Sequence, residues 1–140
     1  MSDRLLVVDD DGAICQTLRS FFEGAGFEVD TASSLPEAAL RLASRSYAAV
    51  IADVCLTERG SEGLAIAAYV RQTWSDLPVL VLTAYGSPQK AEAAARLGAD
   101  AFFHKPVSLV WLERLLRGRI AARRGEVEEE EALGAVAAAG

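Results

Sequence analysis

The sequence lacks the features that mark secreted and membrane proteins. Its 140 residues include only two cysteines, Cys15 and Cys55, which is too few for a disulfide framework. No early segment joins a basic region, an apolar core and a cleavage site, and the longest apolar runs are too short to span a bilayer. These absences predict a reduced, cytoplasmic protein that has no membrane partner.

The sequence also lacks an excess of positive charge. The net charge is −6, but residues 1–124 carry 15 acidic and 14 basic side chains, and five glutamates between positions 126 and 131 supply the rest. Because residues 1–124 are nearly neutral, they lack the excess of positive charge that attracts the phosphate backbone of DNA or RNA. We therefore expect no direct binding to nucleic acid.

Short apolar runs alternate with longer amphipathic segments along the chain. Ser34 and Glu37 form a capping box at the start of one such segment, and Gly98 ends another. Strands that are buried on both faces and separated by helices are typical of a parallel sheet. The pattern predicts an α/β fold of five β/α repeats, with strands over residues 4–9, 27–31, 47–53, 78–83 and 101–104.

Polar residues stand where these strands end: Asp9 and Asp10, Asp53, Thr83 and Lys105. The carboxyl ends of parallel strands share one edge of a sheet, so these groups should converge there. Clustered carboxylates need a cation, and oxygen ligands without His or Cys favour Mg²⁺. A lysine and a hydroxyl suit a phosphoryl group, which a carboxylate beside Mg²⁺ can attack. Asp53, which stands alone, is the predicted nucleophile, and Asp9 with Asp10 is the predicted metal-holding pair.

The residues LLVVDDD, then Asp53, then VLTA with Thr83, then Lys105-Pro106 resemble the receiver domain of bacterial two-component response regulators, over residues 3–122. Thr83 and Lys105 follow Asp53 by 30 and 52 residues, which is similar to the spacing in single-domain, chemotaxis-type (CheY-like) receivers. The resemblance implies a doubly wound, flavodoxin-like sheet with strand order 2-1-3-4-5. It also implies a signalling phosphoacceptor that catalyses only its own phosphorylation and dephosphorylation, and not a metabolic enzyme.

The resemblance further implies a role for each group. Asp53 would accept a phosphoryl group from a sensor histidine kinase or a phosphotransfer protein. Asp9, Asp10, Asp53 and the backbone carbonyl of Cys55 would hold Mg²⁺, and Lys105 would pair with the phosphoryl oxygens.

The same resemblance implies a conformational switch. Thr83 would move towards the phosphate, and Phe102 would follow it inward. The Lys105–Pro106 bond is expected to be cis, and Ala84 supplies the small residue beside the phosphoryl group. The switch would change the affinity of the face formed by the fourth helix, fifth strand and fifth helix for a downstream protein or a second copy.

Several of these residues also have plainer interpretations. Asp9 and Asp10 would then merely cap the first helix, and Asp11 is better explained as an exposed acid at the helix start than as a ligand. By the same plainer interpretation, four other residues would have only a structural role in a helix, a strand or the core: Cys15, Thr83, Phe102 and His104.

The sequence departs from the family pattern in two places. Thr57 and Ser61 stand where the family usually has a proline and a glycine, which puts the geometry of the metal-side loop in doubt. The last helix, over residues 108–122, has a core stripe of Leu109, Leu112 and Leu116. Three further apolar residues lie off that stripe and predict either an exposed contact face or a wider buried face: Val110, Trp111 and Leu115.

Residues 123–140 are acidic and then rich in Ala and Gly, which predicts a flexible tail after a receiver domain over residues 1–122. The alternative interpretation is that the last helix continues into this segment. We expect a single-domain member of the family with no output module after the tail.

Two alternative functions remain: a non-cycling pseudo-receiver that acts in interaction or dimerisation, and an aspartyl phosphohydrolase. The second usually needs an acid two residues after its nucleophile, where Cys55 stands.

Overall fold

The computed structural model describes residues 3–54, 61–83, 88–104 and 108–125, with the backbone alone at positions 53–54, 61–64, 83, 88, 90 and 104. The chain divides into two compact units, Met1–Pro106 and Val107–Gly140, which are described in turn. Among the described residues, no helix has both the length and the apolar character needed to cross a membrane.

Strands and helices alternate strictly along the chain. The strands are β1 (Arg4–Val8), β2 (Glu28–Ala32), β3 (Ala49–Val54), β4 (Val79–Thr83) and β5 (Ala101–His104). The helices are α1 (Gly12–Gly24), α2 (Leu35–Ser44), α3 (Ser61–Thr73), α4 (Pro88–Arg96) and α5 (Leu109–Arg124). The five predicted repeats are confirmed. The sequence assigns Ser61 to a loop, but it begins α3.

The five strands form one parallel sheet in the order β2-β1-β3-β4-β5, as the resemblance implied. The chain leaves β1 towards β2 on one side and returns to build β3 and its successors on the other side. The order therefore reverses between β1 and β3. In sheets of this kind, ligands bind in the crevice beyond the carboxyl ends of the strands at such a reversal point.

Both faces of the sheet are buried, which explains why the strands are continuous apolar runs. One face carries Leu6, Val50 and Val81, which pack in one cluster with residues of α2 and α3. Because side chains alternate along a strand, Leu5 and Ile51 point to the opposite face, where they are fully buried.

Ion pairs and hydrogen bonds join elements at the amino ends of the strands. On β2, Asp30 accepts a hydrogen bond from Tyr47 Oη at 2.7 Å and pairs with Arg4 at 3.3 Å. Further along the sheet, Arg71 of α3 donates to the carbonyl of Gly98 at 2.9 Å and to Asp100 Oδ2 at 2.9 Å. These contacts hold the elements together near the amino ends of the strands. The predicted site residues follow the strands at the opposite, carboxyl edge of the sheet.

The second unit contains α5. Its N-cap Ser108 accepts a hydrogen bond from the Trp111 amide at 3.2 Å, and the helix ends at Gly125 with φ of 73°. Leu112 and Leu116 are buried as predicted, and Val110 is 55% exposed. Leu115, however, is also buried, so the interpretation that places it on an exposed face with Trp111 is wrong for this residue. The helix runs to Arg124, two residues past the predicted domain boundary; positions 126–140 of the predicted tail lie outside the described residues.

Candidate functional site

The predicted site residues that the structure describes lie at the carboxyl edge of the sheet, around the reversal point. Asp9 follows Val8 at the end of β1, and Val8 pairs with Ala52 of β3. Asp53 follows Ala52 directly, so Asp9 and Asp53 occupy neighbouring positions on adjacent strands. The register thus places the predicted nucleophile beside the predicted metal-holding pair.

The same edge continues across β4 and β5. Thr83 is the last residue of β4, and its backbone pairs with Val54 on one side and with His104 on the other. Lys105 is the next residue after His104. The carboxyl ends of β3, β4 and β5 are therefore aligned in register, as the sequence analysis requires.

Asp9 is an unusual residue in this fold because it combines a carboxylate with deep burial. It is 3% exposed and is the only polar or charged residue that is buried among those whose side chains are described. Its amide donates to Ala32 O at 3.0 Å, and its Oδ1 accepts from the Asp11 amide at 2.9 Å. A carboxylate is costly to bury, and the hydrogen bond from the Asp11 amide to Oδ1 offsets part of that cost.

The two acidic residues after Asp9 have different environments. Asp10 is exposed, and its side chain lines a cleft at the end of β1. Asp11 is the N-cap of α1, where its Oδ1 accepts from the Ala13 amide at 2.9 Å and from the Ile14 amide at 3.3 Å. The interpretation of Asp11 as an exposed helix-start acid agrees with this geometry.

Cys15 has a contact that the sequence analysis missed. It is buried on α1, as expected of a packing residue, but its Sγ also donates to the backbone carbonyl of Asp9 at 3.2 Å. The helical spacing of Cys15, Leu18 and Phe22 marks the buried stripe of α1. No sequence pattern reveals the bond to Asp9, because it depends on how the first turn of α1 sits over the end of β1.

Phe102 lies on β5 opposite Val81 of β4 and is half-buried against the core cluster of α2 and α3. The ring is thus placed under the carboxyl edge, on the same sheet face as Val81. Both the switch and the core-aromatic interpretations are compatible with this position, so the switch role stays a prediction.

A cleft of about 570 Å³ opens beside the acidic pair. Residues of α1, such as Gln16 and Arg19, line one side, and Thr31 and Ser33 at the end of β2 line the other. The cleft gives solvent and small ions a route to the carboxyl edge at Asp10.

Part of the predicted site lies outside the described residues, namely Cys55, Ala84, Lys105 and Pro106, together with Thr57 of the altered loop. The backbone alone is described for Asp53, Thr83 and His104. Among the side chains that are described, no group of three or more His, Cys, Asp or Glu residues stands ready to hold a metal ion. The predicted ligand set, which includes Asp53 and Cys55, therefore stays a prediction.

The described part of the site fits Mg²⁺ in its donor chemistry. Asp9 and Asp10 supply carboxylate oxygens, and the register brings Asp53 to the neighbouring strand. Mg²⁺ prefers oxygen ligands and is commonly held by one or two carboxylates, with water and phosphate oxygens completing its shell. No soft sulfur or imidazole donor is required at this edge.

Comparison with known proteins identifies the family. The family model for the response regulator receiver domain matches residues 5–117, and the chain belongs to this family. Receiver domains of two-component response regulators are signalling phosphoacceptors and not metabolic enzymes. The resemblance drawn from the strand ends is thereby confirmed.

Individual relatives agree with this assignment. The chain is 39% identical to the response regulator MprA of Mycobacterium ulcerans over 137 residues, which cover 98% of this chain and 57% of that protein. The chain thus spans little more than half the length of that relative.

Solved structures share the fold. A CheY-like receiver domain protein from Methanospirillum hungatei matches with a TM-score of 0.81 at 24% identity, covering 91% of this chain and all of its own. The response regulator TrrA from Thermotoga maritima, solved in complex with Mg²⁺ and BeF, matches with a TM-score of 0.72 at 29% identity, covering 84% of this chain and 98% of its own.

Proposed function

We propose that this chain is a phosphorylation-dependent switch in which Asp53 accepts a phosphoryl group from a sensor histidine kinase or a phosphotransfer protein. The observation that supports the proposal is the parallel register of β1 and β3, in which Val8, the residue before Asp9, pairs with Ala52, the residue before Asp53. In the transfer, an Asp53 carboxylate oxygen forms a bond to phosphorus while the P–N bond of the donor phosphohistidine breaks. The imidazole that leaves takes up a proton.

The roles of the other groups follow from charge. Mg²⁺, held by Asp9, Asp10, Asp53 and the Cys55 carbonyl, would neutralise charge on the phosphoryl oxygens. Asp9 and Asp10 are suited to this role because one is buried and fixed by hydrogen bonds, while the other is open to solvent. Lys105 and Thr83 would contact the phosphoryl group as a point charge and as a hydrogen-bond donor.

The output of the switch is proposed to be a change in affinity. Once phosphorylated, the receiver shifts between two conformations, and Thr83 and Phe102 couple the phosphoryl group to the face of α4, β5 and α5. Each unit has an exposed apolar side chain that is a candidate contact residue by itself: Leu97, just after α4, is 40% exposed, and Val110 of α5 is 55% exposed. The partner would be a downstream protein or a second copy, in the cytoplasm and without direct contact to nucleic acid.

The first test is intact-mass spectrometry after incubation with acetyl phosphate, with and without Mg²⁺. We expect one phosphoryl adduct that needs Mg²⁺ and is absent in Asp53→Asn. Asp76→Asn is the matched control, because Asp76 is exposed in the turn before β4, at the opposite edge of the sheet. An adduct that persists in Asp53→Asn would refute the assignment of the phosphoacceptor.

Absence of any adduct in the folded wild-type protein, with Mg²⁺ bound, would refute the switch itself. The chain would then be a pseudo-receiver that acts only in interaction or dimerisation. Steady release of phosphate from many substrate molecules, by contrast, would point to the phosphohydrolase alternative.

A further inference from the structure

The peptide between the two acidic residues of the site is fixed by a side chain from α1. We propose that Cys15 is a positioning residue that sets the orientation of the Asp9–Asp10 pair and thereby the affinity of the receiver for Mg²⁺. This inference rests on the proposed function, since it assumes that Asp9 and Asp10 hold the metal.

The first argument is the way in which Asp9 is anchored. Its amide is fixed by the end of β2, through Ala32 O at 3.0 Å, and its carboxylate by the Asp11 amide at 2.9 Å. The backbone carbonyl of Asp9 is a third polar atom with a partner, since Cys15 Sγ donates to it at 3.2 Å. The thiol thus adds a contact from α1 to those that the end of β2 and the Asp11 amide make with Asp9.

The second argument concerns Asp10. The carbonyl of Asp9 belongs to the planar peptide unit that ends at the Cα atom of Asp10. Rotation of that unit would change the direction in which the Asp10 side chain leaves the backbone. A hydrogen bond to the carbonyl therefore acts on both carboxylates, although Cys15 itself touches neither the metal nor the phosphoryl group.

The third argument is the rigidity of the donor. Cys15 is 7% exposed, and its own amide donates to Asp11 O at 3.1 Å in the first turn of α1. Helix α1 is in turn held at its start by the Asp11 cap. The thiol is consequently fixed by the helix and is not free to follow the loop, which is what a positioning group requires.

The experiment is isothermal titration calorimetry with Mg²⁺ alone on four variants of the full chain. Cys15→Ala removes the donor and some volume, Cys15→Val removes the donor but fills the space with a somewhat larger apolar side chain, and Cys15→Ser keeps a donor. Because a thiol is a weak donor, we expect Ala and Val to bind Mg²⁺ about threefold to tenfold more weakly than wild type, and Ser to stay within about twofold. Thr17→Ala is the matched control, since its hydroxyl donates only within α1, to Ala13 O at 3.0 Å.

A purely structural role of Cys15 gives a different result. The Cys15 variants would then have a lower free energy of unfolding in urea without Mg²⁺. Their affinity for Mg²⁺ would stay at the wild-type value in every variant that folds. Wild-type affinity in Cys15→Val, or a loss in Cys15→Ser as large as that in Cys15→Ala, overturns the positioning role.

The two proposals fail in distinguishable ways. If the wild-type protein binds Mg²⁺ and takes up a phosphoryl group while all Cys15 variants match it, the positioning role alone is refuted. If the folded wild-type protein binds no Mg²⁺, both the proposed metal site and the positioning role are refuted together.

Discussion

At the scale of single residues, three consecutive aspartates perform three different tasks. Asp9 is buried and hydrogen-bonded, Asp10 is exposed beside the cleft, and Asp11 caps α1. Identical side chains differ here only in where the end of β1 and the start of α1 place them. Because these three environments differ, we expect substitutions of the three aspartates to have separable effects on the free energy of unfolding and on metal binding.

Asp11→Ala is expected to lower the free energy of unfolding by about 1 kcal/mol, because the first-turn amides of Ala13 and Ile14 lose their side-chain acceptor. Asp11→Asn, which keeps an acceptor oxygen, should remain close to wild type. Urea unfolding followed by circular dichroism measures both. Equal stability of the Ala and Asn variants would show that the cap contributes nothing.

At the scale of secondary-structure elements, Asp30, the middle residue of β2, links that strand to the start of β1 and to the segment before β3. It lies on β2, pairs with Arg4 of β1, and accepts a hydrogen bond from Tyr47, two residues before β3. Burial by itself would raise the pKa of Asp30, but the Tyr47 hydroxyl and the charges of Arg4 and Arg45 outweigh it and hold the pKa below its ordinary value of 3.8. The charged form of Asp30 is thus favoured by folding.

The sign of the pH dependence follows from linkage. A carboxyl group with a lowered folded-state pKa contributes its stability fully above the unfolded value, near 3.8, and loses it as the pH falls through the lower folded pKa. We therefore expect Asp30→Asn to be less stable than wild type at neutral pH and to lose less stability in acid. Urea unfolding across this pH range is the measurement.

Glu23→Gln is the control for Asp30. Glu23 is a half-exposed carboxylate on α1 whose pair with Arg19 spans one helical turn, and such pairs contribute little. The Glu23→Gln variant should unfold at nearly the same urea concentration as the wild type at neutral pH. If Asp30→Asn also matches the wild type, the network at the amino ends of the strands does not contribute to the acid sensitivity of the fold.

At the scale of the whole molecule, the exposed apolar residues predict where a second copy would bind. Val110 on α5 is 55% exposed, whereas Leu115, which the sequence placed on the same face, is buried. The candidate contact on α5 is therefore smaller than the sequence suggested and centres on Val110. The contribution of α5 to a dimer contact can therefore be tested by substituting this one residue.

Sedimentation velocity in Mg²⁺ and beryllofluoride tests this prediction. We expect the wild-type protein to shift towards a dimer on activation and Val110→Glu to remain monomeric, because a charge would be desolvated in the contact. Leu40→Glu is the matched control, since Leu40 on α2 is 70% exposed and lies outside the proposed face. A Val110→Glu protein that dimerises like wild type would exclude α5 from the contact.

Much of the architecture follows from the sequence alone. Residues 5–8 and 79–82 are apolar throughout, which is typical of strands in a sheet covered on both faces, so the five repeats and their parallel arrangement could be predicted. The strand-end residues could be predicted for the same reason, because each acid, hydroxyl or lysine directly follows a buried run. Ser34 and Ser108 likewise mark the starts of their helices, because each hydroxyl accepts a hydrogen bond from the backbone amide three residues later.

Other features depend on contacts between residues that are distant in the chain, or on the exact rotation of a helix. The register that sets Asp9 next to Asp53 joins positions on separate strands, and the Arg71 contacts with Gly98 and Asp100 join α3 to the start of β5. Leu115 is buried together with Leu112 and Leu116, so the apolar stripe of α5 is wider than the hydrophobic spacing of the sequence indicated. The secondary-structure elements and the chemical groups at the sheet edge can be read from the amino-acid sequence, because both arise from local propensity and burial. The hydrogen bond from Cys15 Sγ to the carbonyl of Asp9 becomes visible only in the folded chain, because it requires α1 and β1 to be packed together.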